Sequence, residues 1–188
     1  KNKSLIFTEE IQEIAENLPY RDFITVGLLL ENLSDPEGNF LDDTWIYVQE
    51  SDVKVGRLQI FNNWSPYLVS DQTKKWVGLE FFCNEGDELW KLNNEKLIKL
   101  AIDEMTKLKL CNRSDYIDGT VIREKKTYPA YFDSYEKFDL LKDKFDELNN
   151  LFLIGRNGMH KYNNQDHSML TGFRAAELIV NNKIDKEM

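Results

Sequence analysis

The chain has 188 residues, enough for one domain with a real core, or one domain and a small annex. Charged residues make up 30% and aromatics 12%, a composition that excludes a disordered chain. The formal net charge is −9, and no lysine or arginine block interrupts it, which argues against a nucleic-acid partner. Cys83 and Cys111 lie far apart without CxxC spacing, so a reduced, cytoplasmic setting is expected. The longest apolar run, Phe23 to Leu30, is too short to span a bilayer, and no secretory signal pattern opens the chain. The chain begins at Lys1, so the natural protein is expected to extend upstream.

In chain order, Thr8 caps a predicted short helix with Ile11, Ile14, Ala15 and Leu18 on one face. Phe23–Glu31 is apolar on both faces and reads as a buried central strand. Ser34–Asn39 is a loop by its turn residues. "TWIYVQE" and "VGRLQIFN" alternate and predict a hairpin, and Trp76–Cys83 predicts another strand. The first half is therefore a mostly antiparallel sheet of about four strands.

From Asn94 the period becomes helical, with Ile98, Ala101, Ile102, Met105 and Leu108 on one stripe. "TVIREKKTYPAY" is extended and reaches Pro129, which cannot sit inside a paired central strand. Asp133 and Glu136 suggest a capping box for a helix bearing Phe138, Leu141, Phe145 and Leu148. Leu151–Ile154 reads as a short strand entering a glycine turn at Gly155. A last helix starts near Asn163 or Asn164, with Met169, Phe173, Ala176 and Val180 as its buried stripe. The fold class is α+β, with two parts expected: residues 1–150 and a terminal strand–turn–helix, 151–188.

Chemistry concentrates in that terminal segment. First-turn amides of a helix have no internal partner and carry partial positive charge, so a phosphate or an electron-rich ring edge can sit against them. Arg156 can add a charge-assisted contact, and Gly158 lets backbone approach a flat ligand. A strand, a glycine turn and a helix also occur with no ligand at all, and the spacing is neither GxGxxG nor a P-loop. His160 and His167 are seven apart with no cysteine nearby, so no metal site is expected; His160 lines a polar site or simply hydrogen-bonds in a turn. No GxSxG elbow supports a hydrolase. Arg57 and Arg123 sit in predicted strands, facing a substrate cleft or exposed on a sheet face.

"GRNGMHKYNNQDHSMLTGFRAAELI" (155–179) resembles the terminal flavin-contacting segment of FAD-dependent proteins of the amine oxidase and UDP-galactopyranose mutase superfamily. The likeness is greatest to a bacterial mutase-like group associated with lipopolysaccharide synthesis. "LPYRDFITVGLLL", "WIYVQESDVKVGRLQIFNNWSPYLV", "GLEFFCNEGDELW" and "YPAY" look like further blocks of that group. The resemblance implies a substrate-binding domain over 1–150 and a segment, 151–188, that returns to a dinucleotide-binding domain preceding this chain. Gly155, Arg156, Gly158 and Tyr162 match the mutase pattern Gly-Arg-x-Gly-x-Tyr-x-Tyr, with His160 standing at its first tyrosine. It implies that Gly155, Arg156, Gly158, Asn164, Gln165 and Asp166 face FAD, and that His160, Tyr162, Tyr128 and Tyr131 face a UDP-sugar. Tyr128 and Tyr131 equally read as aromatic packing at a strand end. The whole protein would then be a sugar-nucleotide mutase of surface polysaccharide synthesis, or an amine oxidase-like oxidoreductase on the same scaffold. The chain by itself would bind no FAD, act as a binding or structural module, and self-associate through its uncovered strand edge.

Overall fold

Thr8 opens the first helix, α1 (Glu9–Glu16), by accepting a hydrogen bond from the Ile11 amide at 3.3 Å. A computed structural model describes residues 8–183 and 186. The other elements are β1 (Tyr20–Leu30), β2 (Trp45–Tyr47), β3 (Arg57–Ile60), α2 (Phe61–Trp64), β4 (Lys75–Cys83), α3 (Glu88–Lys91), α4 (Asn94–Lys107), β5 (Tyr116–Pro129), α5 (Phe138–Asp146), α6 (Gly155–Gly158) and α7 (Gln165–Val180). The strands form one five-stranded sheet in the order β2-β3-β4-β1-β5. β1–β4, β2–β3 and β3–β4 are antiparallel, with Thr25 opposite Glu80 and Arg57 opposite the same Glu80. The fold is α+β with an antiparallel sheet and flanking helices, as the alternation predicts.

The chain divides into two units, Asp22–Lys125 and Lys1–Arg21 with Lys126–Met188. The boundaries fall inside β1 and β5, whereas the sequence reading puts a single boundary at 150/151. Each unit has its own buried cluster, and α1 belongs with α5: Ile11 and Ile14 pack on Leu141, with Leu18, Phe138 and Phe145 around them. No local pattern in residues 8–18 reveals that partner, which lies more than half the chain away.

The larger core lies in the 22–125 unit. Ile24, Val26, Leu28 and Leu30 of β1, Val77, Leu79 and Phe81 of β4, and Leu97, Ala101 and Met105 of α4 are buried together. Asn93 caps α4 by accepting from the Lys96 amide at 2.9 Å. Glu104 is buried on that helix and accepts the Lys54 and Val55 amides at 2.8 Å each, which fixes the loop entering β3. Arg57 meets Glu80 in a buried ion pair under the rings of Trp45, Tyr47, Phe23 and Phe82. Burial raises the Glu80 carboxyl above the ordinary range despite the guanidinium beside it. Arg57 is thus neither in an open cleft nor on an exposed face. Gly56 precedes it because a Cβ there would come within 2.8 Å of the Phe82 ring. Arg123 donates to Asn94 Oδ1 and the Leu92 carbonyl at the start of α4. Cys83 and Cys111 are buried and form no disulfide, and burial pushes the Cys111 thiol up to about 11.

Three local expectations fail in the unit that holds the C-terminal segment. Asp133 makes no cap: it sits at φ +51° in a 3-10 turn, Asp133–Lys137, that leads into α5. Leu151–Ile154 is irregular and not a strand, and Gly155–Gly158 coils into one helical turn where an open glycine turn is expected. Four apolar residues supply too few pairings to define a strand without a neighbour, so the run follows its surroundings. The third is the orientation of α7. Ala175 and Leu178 are buried, whereas Met169, Phe173 and Val180 are exposed. α7 is apolar on two opposite faces, and periodicity alone cannot say which one turns inward.

Candidate functional site

The terminal segment builds its site from α6, the loop after it and the start of α7. Gly155 takes φ +69°, a conformation that suits glycine, and its amide donates to Thr171 Oγ1 at 3.0 Å. That bond ties the first residue of α6 to the second turn of α7. Asn163 Oδ1 accepts from Ser168 Oγ at 2.8 Å and holds the loop to the same helix.

Arg156 is the centre of the arrangement. Its Nε and Nη2 donate to the Asn163 carbonyl at 2.9 and 2.7 Å, and Nη1 reaches the Thr127 carbonyl at 3.4 Å. Of the five guanidinium N–H groups, one remains on each terminal nitrogen. The guanidinium carbon lies 4.7 Å from the Tyr162 ring centre and 5.1 Å from that of Tyr128. Those two rings stack at 5.7 Å and 28°. A planar cation stacked on rings and held by carbonyls keeps its charge in a fixed place.

Arg156, Asn164 and Gln165 line one surface cavity of about 350 Å³ together with Asn163, Ser168 and Met169. The structure therefore brings together three of the six residues picked for a cofactor. Asn163, Ser168 and Met169 were missed; the paired asparagines were the one available signal, and they were read only as a helix start. Asn164 stands at the N-cap of α7 without a side-chain cap bond. The His167 amide donates to the Asp166 carboxylate and holds that carboxyl below its usual range. Asp166 thus already places a negative charge at the end of the helix where the dipole favours one. Gly158 closes α6, with space of ordinary contact distance above it, 3.6 Å from the Leu153 backbone.

The four residues expected to face substrate divide. Tyr162 and Tyr131 are half exposed, and the Tyr131 hydroxyl accepts from the Tyr162 amide. Tyr128 stacks under Tyr162 as described. His160 differs from expectation: it is 1% exposed at φ +44°. Its Nε2 lies 3.1 Å from the Ala130 carbonyl, and rings of Tyr20, Tyr131, Tyr135 and Phe138 surround it. A carbonyl can only accept, so Nε2 carries the proton and Nδ1 is left buried without a hydrogen-bond partner. Burial lowers the His160 pKa below its ordinary value, and the residue is a neutral packing group that supports Tyr131. A second cavity, also about 350 Å³, opens beside Tyr135, Phe138, Leu153, Met159 and Lys161 and includes no residue picked from the sequence. Among the described residues no group of histidine, cysteine and carboxylate side chains could hold a metal ion, and no helix is long and apolar enough to cross a membrane.

No family model matches the sequence, and no curated protein matches it. Solved structures do. A reduced UDP-galactopyranose mutase matches with a TM-score of 0.78 at 22% identity, over 99% of this chain and 39% of its own. A protein described as a protoporphyrinogen oxidase, from Exiguobacterium sp. 255-15, matches with a TM-score of 0.61 at 14% identity, over 91% of this chain and 39% of its own. The chain thus spans about two fifths of the length of each of these proteins. It has the fold of the matching part of that UDP-galactopyranose mutase.

Proposed function

We propose that this chain is the substrate domain and closing segment of a flavin-dependent, UDP-galactopyranose mutase-like protein that acts on a sugar nucleotide in surface polysaccharide synthesis. The observation that carries the reading is the fold match to the mutase over 99% of the chain. The site supports it. The cavity beside Arg156 offers the remaining N–H groups of a fixed guanidinium, the Asn164 and Gln165 amides and an apolar edge at Met169. Its volume suits one portion of FAD and not the whole dinucleotide. Asp166 already fills the anion position at the start of α7, so a neutral ring edge fits there better than a phosphate.

In this reading Arg156, Asn164 and Gln165 orient the ring system, while Gly155 and Gly158 keep the approaching backbone close. Reduced flavin supplies the electron-rich centre that ring contraction of a sugar requires. Tyr131 and Tyr162 present hydroxyls to the sugar nucleotide, and the stacked Tyr128 keeps Tyr162 upright. His160 positions Tyr131 from below. Such residues hold and orient; the protein's share of catalysis is alignment and exclusion of water. The setting is the cytoplasm, where sugar nucleotides are made.

The test is to express the reading frame that includes the sequence upstream of Lys1. The expected product is a yellow protein that interconverts the pyranose and furanose forms of UDP-galactose only when reduced. The chain of 188 residues, purified alone, stays colourless and inactive. A full-length product that binds no flavin overturns the reading. One that binds flavin but releases hydrogen peroxide with an amine or another reductant favours the oxidoreductase alternative, for which the weaker match to the oxidase fold is the support.

A further inference from the structure

Two hydrogen bonds close a small ring between the residues just after β5 and the loop after α6. His160 Nε2 donates to the Ala130 carbonyl at 3.1 Å, and the Tyr162 amide donates to the hydroxyl of Tyr131, the next residue along. The Ala130 amide in turn donates to the Pro19 carbonyl at 3.0 Å, so this stretch is held on both sides. His160 takes φ +44°, an uncommon conformation for a residue with a side chain. From that turn its imidazole and the amide two residues on reach neighbouring residues of the same stretch. The Tyr131 ring packs on Tyr135 at 4.9 Å and 62° and meets the His160 ring edge-on at 6.4 Å and 86°. Ring and hydroxyl of Tyr131 are therefore both fixed by this chain's own residues.

A backbone amide can only donate, so the Tyr131 oxygen is the acceptor of the Tyr162 bond. A phenol keeps its proton in the ring plane. With the amide on one side of the oxygen the proton points to the other, and the accepted bond makes it a stronger donor. Among the described residues no acceptor takes that proton, and the side chain is 50% exposed. We propose that Tyr131 is a specificity-determining residue whose hydroxyl donates to an acceptor-only oxygen of the ligand, with His160 as the residue that positions it. This rests on the sugar-nucleotide reading and goes further, because that reading places the hydroxyl toward the ligand without saying which kind of atom it takes. A sugar hydroxyl is a poor match, since it brings a proton of its own to an oxygen that the Tyr162 amide already engages. The acceptor-only oxygens of a sugar nucleotide belong to its phosphates and its base carbonyls. Two cations stand next to Tyr162 and favour a phosphate: the Arg156 guanidinium, 4.7 Å from its ring centre, and the exposed Lys161 at the preceding position.

The test has two arms. In the 188-residue chain without cofactor, hydrogen exchange of the Tyr162 amide is followed by nuclear magnetic resonance. Tyr131→Phe keeps the ring and removes the acceptor, and is expected to speed that exchange about tenfold. His160→Phe does the same, whereas His160→Gln, whose amide can still donate to Ala130, keeps the native rate. A Tyr162 amide indifferent to Tyr131→Phe overturns the proposal, whatever the flavin experiment gives. One that responds to Tyr131→Phe but equally little or equally strongly to both His160 variants overturns the positioning role. In the product of the longer reading frame, UDP and uridine are titrated into the native protein and into Tyr131→Phe. The expected result is about tenfold weaker UDP with uridine and flavin content unchanged. A like loss for uridine assigns the bond to a base carbonyl and upholds the donor role. Unchanged affinity for both ligands, or no UDP binding by the native protein, overturns the proposal. A protein that binds UDP through Tyr131 and binds no flavin overturns the functional reading alone.

Discussion

His160 shows how a single side chain can carry a pH dependence without touching a ligand. Its imidazole is held neutral in the folded state by burial, with Nδ1 lacking a partner, whereas the unfolded chain titrates near 6.5. The unfolded state therefore binds the extra proton first as pH falls, and stability contributed by this residue is present above about pH 6.5 and lost below it. Urea midpoints of the chain measured at about pH 5 and about pH 8 are expected to differ more than those of His160→Phe, which has nothing to protonate there. Equal differences in both proteins would show that the imidazole is already protonated in the fold. At this scale the sequence marks Arg156 and Tyr162 together by motif spacing, whereas the approach of Tyr128 to both, 28 residues before Arg156 in the chain, is a product of the fold. The sequence did not reveal that His160 is buried, since the residues that enclose it, Tyr20 and then Tyr131, Tyr135 and Phe138, come from two stretches distant from it in the chain.

At the scale of elements, legibility tracks how much of an element's order is local. α4 is legible in its place and period: its start near Asn94 and its buried Ala101 and Met105 follow from the helical spacing, whereas the Asn93 cap and the buried Leu97 and Glu104 fall outside that reading, and Ile98, Ile102 and Leu108 are only partly buried. Asn93→Ala is expected to cost about 1 kcal/mol, measured by urea denaturation followed at the far-ultraviolet helix signal. β1 and β4 are equally plain, because a strand buried on both faces reads as a continuous apolar run. α7 was placed correctly along the chain and turned the wrong way round. Its C-terminal end is nonetheless well defined: Asn182 sits at φ +52°, its amide donates to the Ile179 carbonyl, and the Lys183 amide donates to the Leu178 carbonyl. This left-handed stop holds Lys183 at the end of the helix axis. Leu151–Ile154 was misread because hydrophobicity without a pairing partner fixes no conformation.

For the molecule as a whole, the two units have unequal cores. The 22–125 unit buries most of β1, β4 and α4 in one cluster, while the other unit has Ile11, Ile14 and Leu141 at the centre of a small one. Amide exchange is expected to be slowest in Ile24–Leu28 and Val77–Phe81 and measurably faster in α1 and α5, because opening costs less where less apolar surface is buried. Mass-resolved exchange of peptic fragments checks this, and equal protection in both would contradict it. The division at β1 and β5 was invisible in the sequence, since a strand that crosses a boundary carries no mark of it. The burial of Cys83 and Cys111 has a practical consequence. A thiol titrating near 11 stays uncharged at neutral pH and reacts sluggishly with maleimides, and Cys83 is as deeply enclosed. One cysteine introduced on the surface, at the exposed Lys99 of α4 for instance, would therefore take a fluorophore or spin label with little background from the native pair.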